Sequence, residues 1–297
     1  MSEIFDFLKK TEAERRRKPP IQEPALTAPT TESHKKPVAE PAVSLEAEQP
    51  LPLEIEVCGT DKFDLTGASL QIRNVLNPLT LFGEQFRLLR SKLDLMQKQR
   101  PLKTILIASG TAEEGKTFTA SGLAGVFAQE GKRVVLIDAD MRKPVSGRNF
   151  GLNGSSTNIG LSEVLGGKIE FNKALLMSMN PEFHFLPSGS LPSNPSELLS
   201  SPKLEQTLRT AAESYDWVIV DSPPVLSLSD TALISPLCDT VILVVRANST
   251  PSKIVMDTIN RIGRDRICGV VLNRQKHVRS SYYYYQYYYR SSKRNKE

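Results

Sequence analysis

The chain has 297 residues, 24% of them charged and 39% hydrophobic, which allows one sizeable soluble domain with tails or two small ones. Its 38 Lys and Arg residues against 33 Asp and Glu leave a formal charge of +5, too mild to imply a nucleic-acid partner. Three scattered cysteines, Cys58, Cys238 and Cys268, indicate neither a disulfide framework nor a zinc site and suit a reducing cytoplasm.

No stretch reaches the roughly 18 consecutive apolar residues of a membrane span. The first residues carry charges where a signal peptide needs its apolar core, so neither export nor membrane insertion is expected. Residues 1–75 read as an arm. Ile4, Phe5 and Leu8 line one side of a short helix, followed by Arg15-Arg16-Arg17-Lys18. That pattern fits a docking helix for a partner or an anionic surface, and equally a frayed terminal helix with a solvated charge run. Eight of the twenty prolines fall between Pro19 and Pro52, which marks an extended linker. A globular domain is expected over 76–275 and a basic tail over 276–297.

Leu81 to Lys98 reads as an amphipathic helix whose Phe82, Phe86, Leu89, Leu93 and Met96 recur at steps of three and four and face a core. Glu84, Arg87 and Arg90 form a charged ridge on another side, where a Glu–Arg pair contributes about 0.2–0.5 kcal/mol.

A strand predicted over Thr104 to Ala108 leads into Gly110-Thr111-Ala112-Glu113-Glu114-Gly115-Lys116-Thr117, which fits G-x-x-x-x-G-K-[ST]. A helix from Lys116 to Gln129 follows. The two glycines let successive N–H groups point inward, and the helix N-terminus favours anions. Together with Phe118 these residues are the expected nucleotide-binding segment. Lys116 is placed to reach the β and γ phosphates of a triphosphate, and the Thr117 hydroxyl to hold Mg²⁺, a hard ion that takes oxygen ligands.

Further strands are predicted over Val134 to Asp138, Phe183 to Leu186, Trp217 to Asp221, Val241 to Val245 and Gly269 to Asn273. Helical stretches are expected near Ser196 to Tyr215 and Lys253 to Ile262. Short apolar runs alternating with helices predict an α/β fold, a doubly wound, mostly parallel sheet that binds its ligand at the strands' carboxyl ends. Asp138, Asp140 and Asp221 sit at such ends. An acid there is costly to bury unless a cation or hydrogen bonds compensate it. Of Asp138 and Asp140, one is suited to abstract a hydroxyl proton or orient a nucleophile, the other to bind the metal's water shell. His34, His184 and His277 are isolated and receive no role.

The trio GTAEEGKT, IDADMRKP and WVIVDSPP, in that order, resembles the bacterial tyrosine kinases, themselves similar to phosphate-loop ATPases. Gly160-Leu161-Ser162, Leu191-Pro192-Ser193-Asn194-Pro195-Ser196-Glu197 and Gly269 to Arg274 extend the resemblance from about Leu81 to Tyr289. It implies that Lys116 and Thr117 bind ATP and Mg²⁺, that Asp138 is the general base, and that Asp140 and Asp221 hold the magnesium shell. It further implies that Glu84, Arg87 and Arg90 form an oligomerisation motif, and that Asn273 and Arg274 lie beside the purine. Glu113 stands where the family usually has glycine and adds negative charge near the phosphates.

Tyr282, Tyr283, Tyr284, Tyr285, Tyr287, Tyr288 and Tyr289 are seven of the chain's eight tyrosines, set in a segment kept in water by Arg279, Arg290, Lys293 and Arg294. By resemblance this is the cluster phosphorylated on neighbouring subunits. Each phosphate adds roughly −1.5 to −2, so full modification brings on the order of −10 to −14. That charge overwhelms +5 and predicts a ring that separates once modified. The resemblance also implies a separate transmembrane activator, protein tyrosine substrates, control of exopolysaccharide or capsule synthesis and export, and a cytoplasmic location at the inner face of the plasma membrane. Two other readings are a positioning ATPase of the ParA or MinD kind and a nucleotide-binding regulatory scaffold. The positioning relatives carry a lysine immediately after the loop's first glycine, where this chain has Thr111.

Overall fold

The structure, a computed structural model, describes residues 61–152 and 157–275. In chain order its elements are β1 (Lys62–Phe63), α1 (Leu70–Leu76), α2 (Leu81–Gln99), β2 (Thr104–Ser109), α3 (Lys116–Ala128), β3 (Val134–Asp138), α4 (Ser146–Asn149), α5 (Leu161–Leu165), β4 (Leu176–Met179), β5 (Glu182–Leu186), α6 (Pro195–Leu199), α7 (Pro202–Ser214), β6 (Trp217–Asp221), α8 (Asp230–Ile234), β7 (Thr240–Arg246), α9 (Ser252–Ile262) and β8 (Ile267–Asn273). The strands form one sheet in the order β1-β4-β5-β3-β6-β2-β7-β8. Every neighbouring pair is parallel except β4 with β5.

Strand side chains alternate faces, and here both faces are covered. Ile105 and Ile107 of β2 join one core with Ile72 and Val75 of α1, Phe86 and Leu93 of α2 and Leu123 and Phe127 of α3. Leu106 and Ala108 join the opposite core with Leu204 and Leu208 of α7 and Val255 and Ile259 of α9. Trp217 at the start of β6 is fully buried and stacks on Phe127 with ring centroids 4.5 Å apart, fastening α3 to the sheet. The expected doubly wound parallel sheet is therefore present, with the phosphate-loop strand β2 near its centre.

Four differences from the sequence reading have physical causes. The stretch from Ser196 to Tyr215 is two helices, α6 and α7, because Pro202 has no N–H and biases Ser201 to an extended backbone, φ −73° and ψ 148°. Phe82 is 48% exposed instead of core-facing. One turn further on, Phe86 takes the core position and packs edge-on against Phe118 in the first turn of α3. The packed fold also begins before residue 76, the boundary expected for it: β1 pairs with β4, and Ile72 and Val75 are fully buried. The Ser69 side chain accepts the Ile72 N–H to start α1. Finally, the outer strand runs from Ile267, two residues earlier than expected. The N-terminal arm up to residue 60, with Cys58 and His34, and the tail from residue 276, with His277 and Tyr282 to Tyr289, lie outside the described residues.

Candidate active site

The parallel register brings the acids together. Asp138 at the end of β3 lies directly beside Asp221 at the end of β6, and each is 1% exposed. Asp140 follows two residues later, also buried, and its N–H donates to Asp138 Oδ1 at 3.1 Å. On the far side of β6, β2 delivers the loop Gly110 to Gly115 and then α3. Gly115 has φ 99°, a left-handed conformation that glycine adopts without strain, and α3 starts with no side chain capping its first amides. The N–H groups of the first turn thus remain open to an anion. Lys116 Nζ stands 3.7 Å from Asp140 Oδ2.

Three buried carboxylates face one ammonium, and the titration behaviour follows. Burial pushes the Asp138 carboxyl well above the ordinary range, and the neighbouring Asp221 charge adds to it. Burial raises Asp221 as well, moderated by Lys116 and Thr117. Ser146 of α4 donates to Asp221 Oδ2 at 3.3 Å, while Asp221 Oδ1 is buried with no partner. A buried oxygen left over beside excess negative charge suits a hard cation. Among the described residues no three acidic, histidine or cysteine side chains converge into a ready-made metal cage. Mg²⁺ is usually held by one or two carboxylates, waters and substrate phosphates.

The remaining predicted residues are distributed unevenly. Glu113 has φ 63°, so a charged residue occupies a backbone conformation that favours glycine. Phe118 turns its ring onto Phe86 and leaves only its backbone at the loop. Asn273, at the end of β8, donates its amide to the Glu114 carbonyl at 2.8 Å and accepts the Arg274 N–H at 2.8 Å. Within the ridge on α2, Glu84 and Arg87 pair at 2.7 Å. Arg90 turns inward, 11% exposed, to the Val126 carbonyl at 3.3 Å in the last turn of α3 and to Glu130 at 2.8 Å just beyond it.

Sequence reasoning missed three participants. Ser146 carries no local signal. Arg142 is clamped by Asp230 at 2.7 Å and Ser196 at 2.8 Å, which pins the segment after Asp140. Burial opposes the charge on Asp230, yet Arg142 and Ser196 together hold its carboxyl below the ordinary range. Thr250 donates to the Glu114 carboxylate across the loop.

The family described as AAA domain matches residues 102–265. Tyrosine-protein kinase YwqD of Bacillus subtilis (strain 168) is 34% identical over 215 residues, 71% of this chain and 89% of that protein. Tyrosine-protein kinase etk of Escherichia coli (strain K12) is 37% identical over 199 residues, 66% of this chain but 27% of that longer protein. Among solved structures, the kinase domain of Escherichia coli tyrosine kinase ETK superposes with a TM-score of 0.64 at 34% identity, over 70% of this chain and 82% of that one. The fold, the phosphate loop and the aspartates at the strand ends agree with that likeness: the chain carries a nucleotide-binding phosphate-loop domain and belongs to the bacterial tyrosine kinases.

Proposed function

We propose that the chain is an ATP-dependent tyrosine autokinase that transfers the γ-phosphate to Tyr282, Tyr283, Tyr284, Tyr285, Tyr287, Tyr288 and Tyr289 of neighbouring subunits. The observation that carries this reading is a cavity of about 320 Å³ beside Asp138, walled by Pro144, Gly147, Phe185 and Pro187. It lies near the small end of the ligand-pocket range and suits one aromatic side chain better than a nucleotide. Strand order puts Asp138 and Asp221 between this cavity and the phosphate loop. Donor and acceptor thus approach from opposite sides. The eighth tyrosine, Tyr215, is 3% exposed and unsuited as an acceptor.

In this reading the loop amides and Lys116 hold the triphosphate, with the purine near Asn273 and Arg274. Thr117, Asp140 and Asp221 hold Mg²⁺, which offsets the phosphate charge. The phenol oxygen forms its bond to the γ-phosphorus, the bond to the β–γ bridging oxygen breaks, and ADP leaves. The phenolic proton passes to Asp138, the carboxylate that lines the cavity.

Glu84 and Arg87, on the open side of α2, contribute to a ring contact, with Arg90 bracing the helix beneath them. No helix among the described residues is long and apolar enough to cross a membrane. A separate transmembrane activator, control of exopolysaccharide or capsule export, and a cytoplasmic station at the membrane complete the proposal.

Intact-mass measurement of the full chain after incubation with Mg-ATP, with and without an activator's cytoplasmic segment, tests it. Successive phosphate increments mapping to the tail, absent in Lys116→Met, are expected. ATP hydrolysis with no phosphate on the chain under either condition would instead indicate a switch ATPase.

A further inference from the structure

Glu114 is 2% exposed, a carboxylate buried inside the phosphate loop, and the proposed phosphotransfer does not use it. Its Oε2 accepts the Thr111 N–H at 2.9 Å, and its Oε1 accepts the Thr250 hydroxyl. Its carbonyl accepts the Asn273 amide at 2.8 Å. Thr250 sits in the turn that follows β7, where its own N–H donates to the Arg246 carbonyl at 3.1 Å. Asn273 is the last residue of β8. One residue therefore ties the loop to itself and to the ends of the two strands on its outer side. Asn273 also lies so close to Gly115 that a Cβ there would fall 1.8 Å from its Nδ2.

We propose that Glu114 is a positioning residue that holds the phosphate loop in its nucleotide-ready shape by fastening it to Thr250 and Asn273, so that ATP affinity is set partly by residues that never touch phosphate. This rests on the reading of the loop as the ATP site. A loop fixed in advance binds at its intrinsic affinity, whereas one that samples other shapes binds more weakly by the fraction of time it is competent. Without the carboxylate, the Thr111 N–H and the Thr250 hydroxyl lose their buried acceptor, and the folded loop gains alternatives. Both donors are half-buried, and a donor that loses its acceptor away from full solvent is costly, so the shift is substantial.

Titration of a fluorescent ATP analogue with Mg²⁺ into the full chain tests this. Glu114→Ala is expected to weaken binding by about ten- to a hundredfold, and Thr250→Val by less. The loss should appear in KM for ATP more than in kcat. Glu114→Gln keeps one oxygen for the Thr111 N–H and an amide for the Thr250 oxygen, and is expected to recover to within about threefold. A role confined to stability would lower the melting temperature of Glu114→Ala and leave the affinity of the folded protein alone. The proposal is overturned if folded Glu114→Ala binds within twofold of the parent, or if Glu114→Gln binds as weakly as Glu114→Ala. A parent that binds ATP but transfers no phosphate would sink the kinase reading while leaving these comparisons decisive. A parent that binds no ATP would sink both.

Discussion

Asp138→Asn lowers the rate of tail phosphorylation by about two to four orders of magnitude, the usual contribution of a positioned base, and at the same time raises the melting temperature of the nucleotide-free protein. The first effect follows from removing the proton acceptor beside the cavity. The second follows from burial. Asp138, Asp140 and Asp221 are all buried, and Lys116 Nζ, 3.7 Å from Asp140, is the ammonium that faces them. Replacing one carboxylate by a neutral amide of the same shape removes the cost of burying its charge and, secondly, the like-charge repulsion between adjacent strand ends. The gain should reach a few degrees, since a domain of this size shifts by roughly 2–4 °C per kcal/mol. Lys116→Met should move stability the other way, because it strips the cluster of that positive partner. Initial rates from phosphotyrosine detection, set beside thermal melts followed by circular dichroism, check both. If Asp138→Asn transferred phosphate at the parent rate, the base would lie elsewhere.

Gly115→Ala abolishes measurable ATP binding and destabilises the fold by roughly 1.5–3.5 kcal/mol. A left-handed backbone costs a non-glycine residue about 1–2 kcal/mol. At φ 99° the added Cβ would also lie 1.8 Å from Asn273 Nδ2, so Asn273 must move and lose its bond to the Glu114 carbonyl, a further 0.5–1.5 kcal/mol or so. Gly131→Ala is the matched control. Its φ is 73°, yet nothing lies within 4 Å of the added Cβ, so it should show the backbone cost alone and bind ATP normally. Urea unfolding followed through Trp217, the single tryptophan, measures the stabilities, and analogue titration measures binding. Gly115→Ala binding within fivefold of the parent would contradict the close packing of Asn273 on the loop.

Much of this could be read from residues alone, for a definite reason. Buried parallel strands are written as uninterrupted apolar runs that end where the ligand binds. Trp217 to Asp221 and Val134 to Asp138 therefore announced both the strands and the acids at their tips. The phosphate loop was legible because its spacing is local. What escaped lies between distant segments or in short ones. Thr250 and Glu114 meet across 136 residues, and no periodicity in either segment points to the other. Arg142, in the segment after β3, meets Ser196 of α6 and Asp230 of α8, three stretches far apart in the chain. Helix α1 has seven residues, too few to display a stripe, and β1 has two, so residues 62–75 looked like linker although Ile72 and Val75 are core. Arg90 belonged to a ridge by its spacing, yet its length lets it reach across to Glu130.

The most direct measurement uses two versions of the full chain that differ in mass. One keeps an intact active site but carries phenylalanine at all seven tail tyrosine positions. The other is Lys116→Met with its tail intact. Mixed with Mg-ATP and the activator segment, the Lys116→Met chain should gain phosphates on Tyr282 through Tyr289 while its partner gains none. A Lys116→Met chain that stays unmodified, under conditions where the parent phosphorylates itself, would contradict transfer between neighbouring subunits.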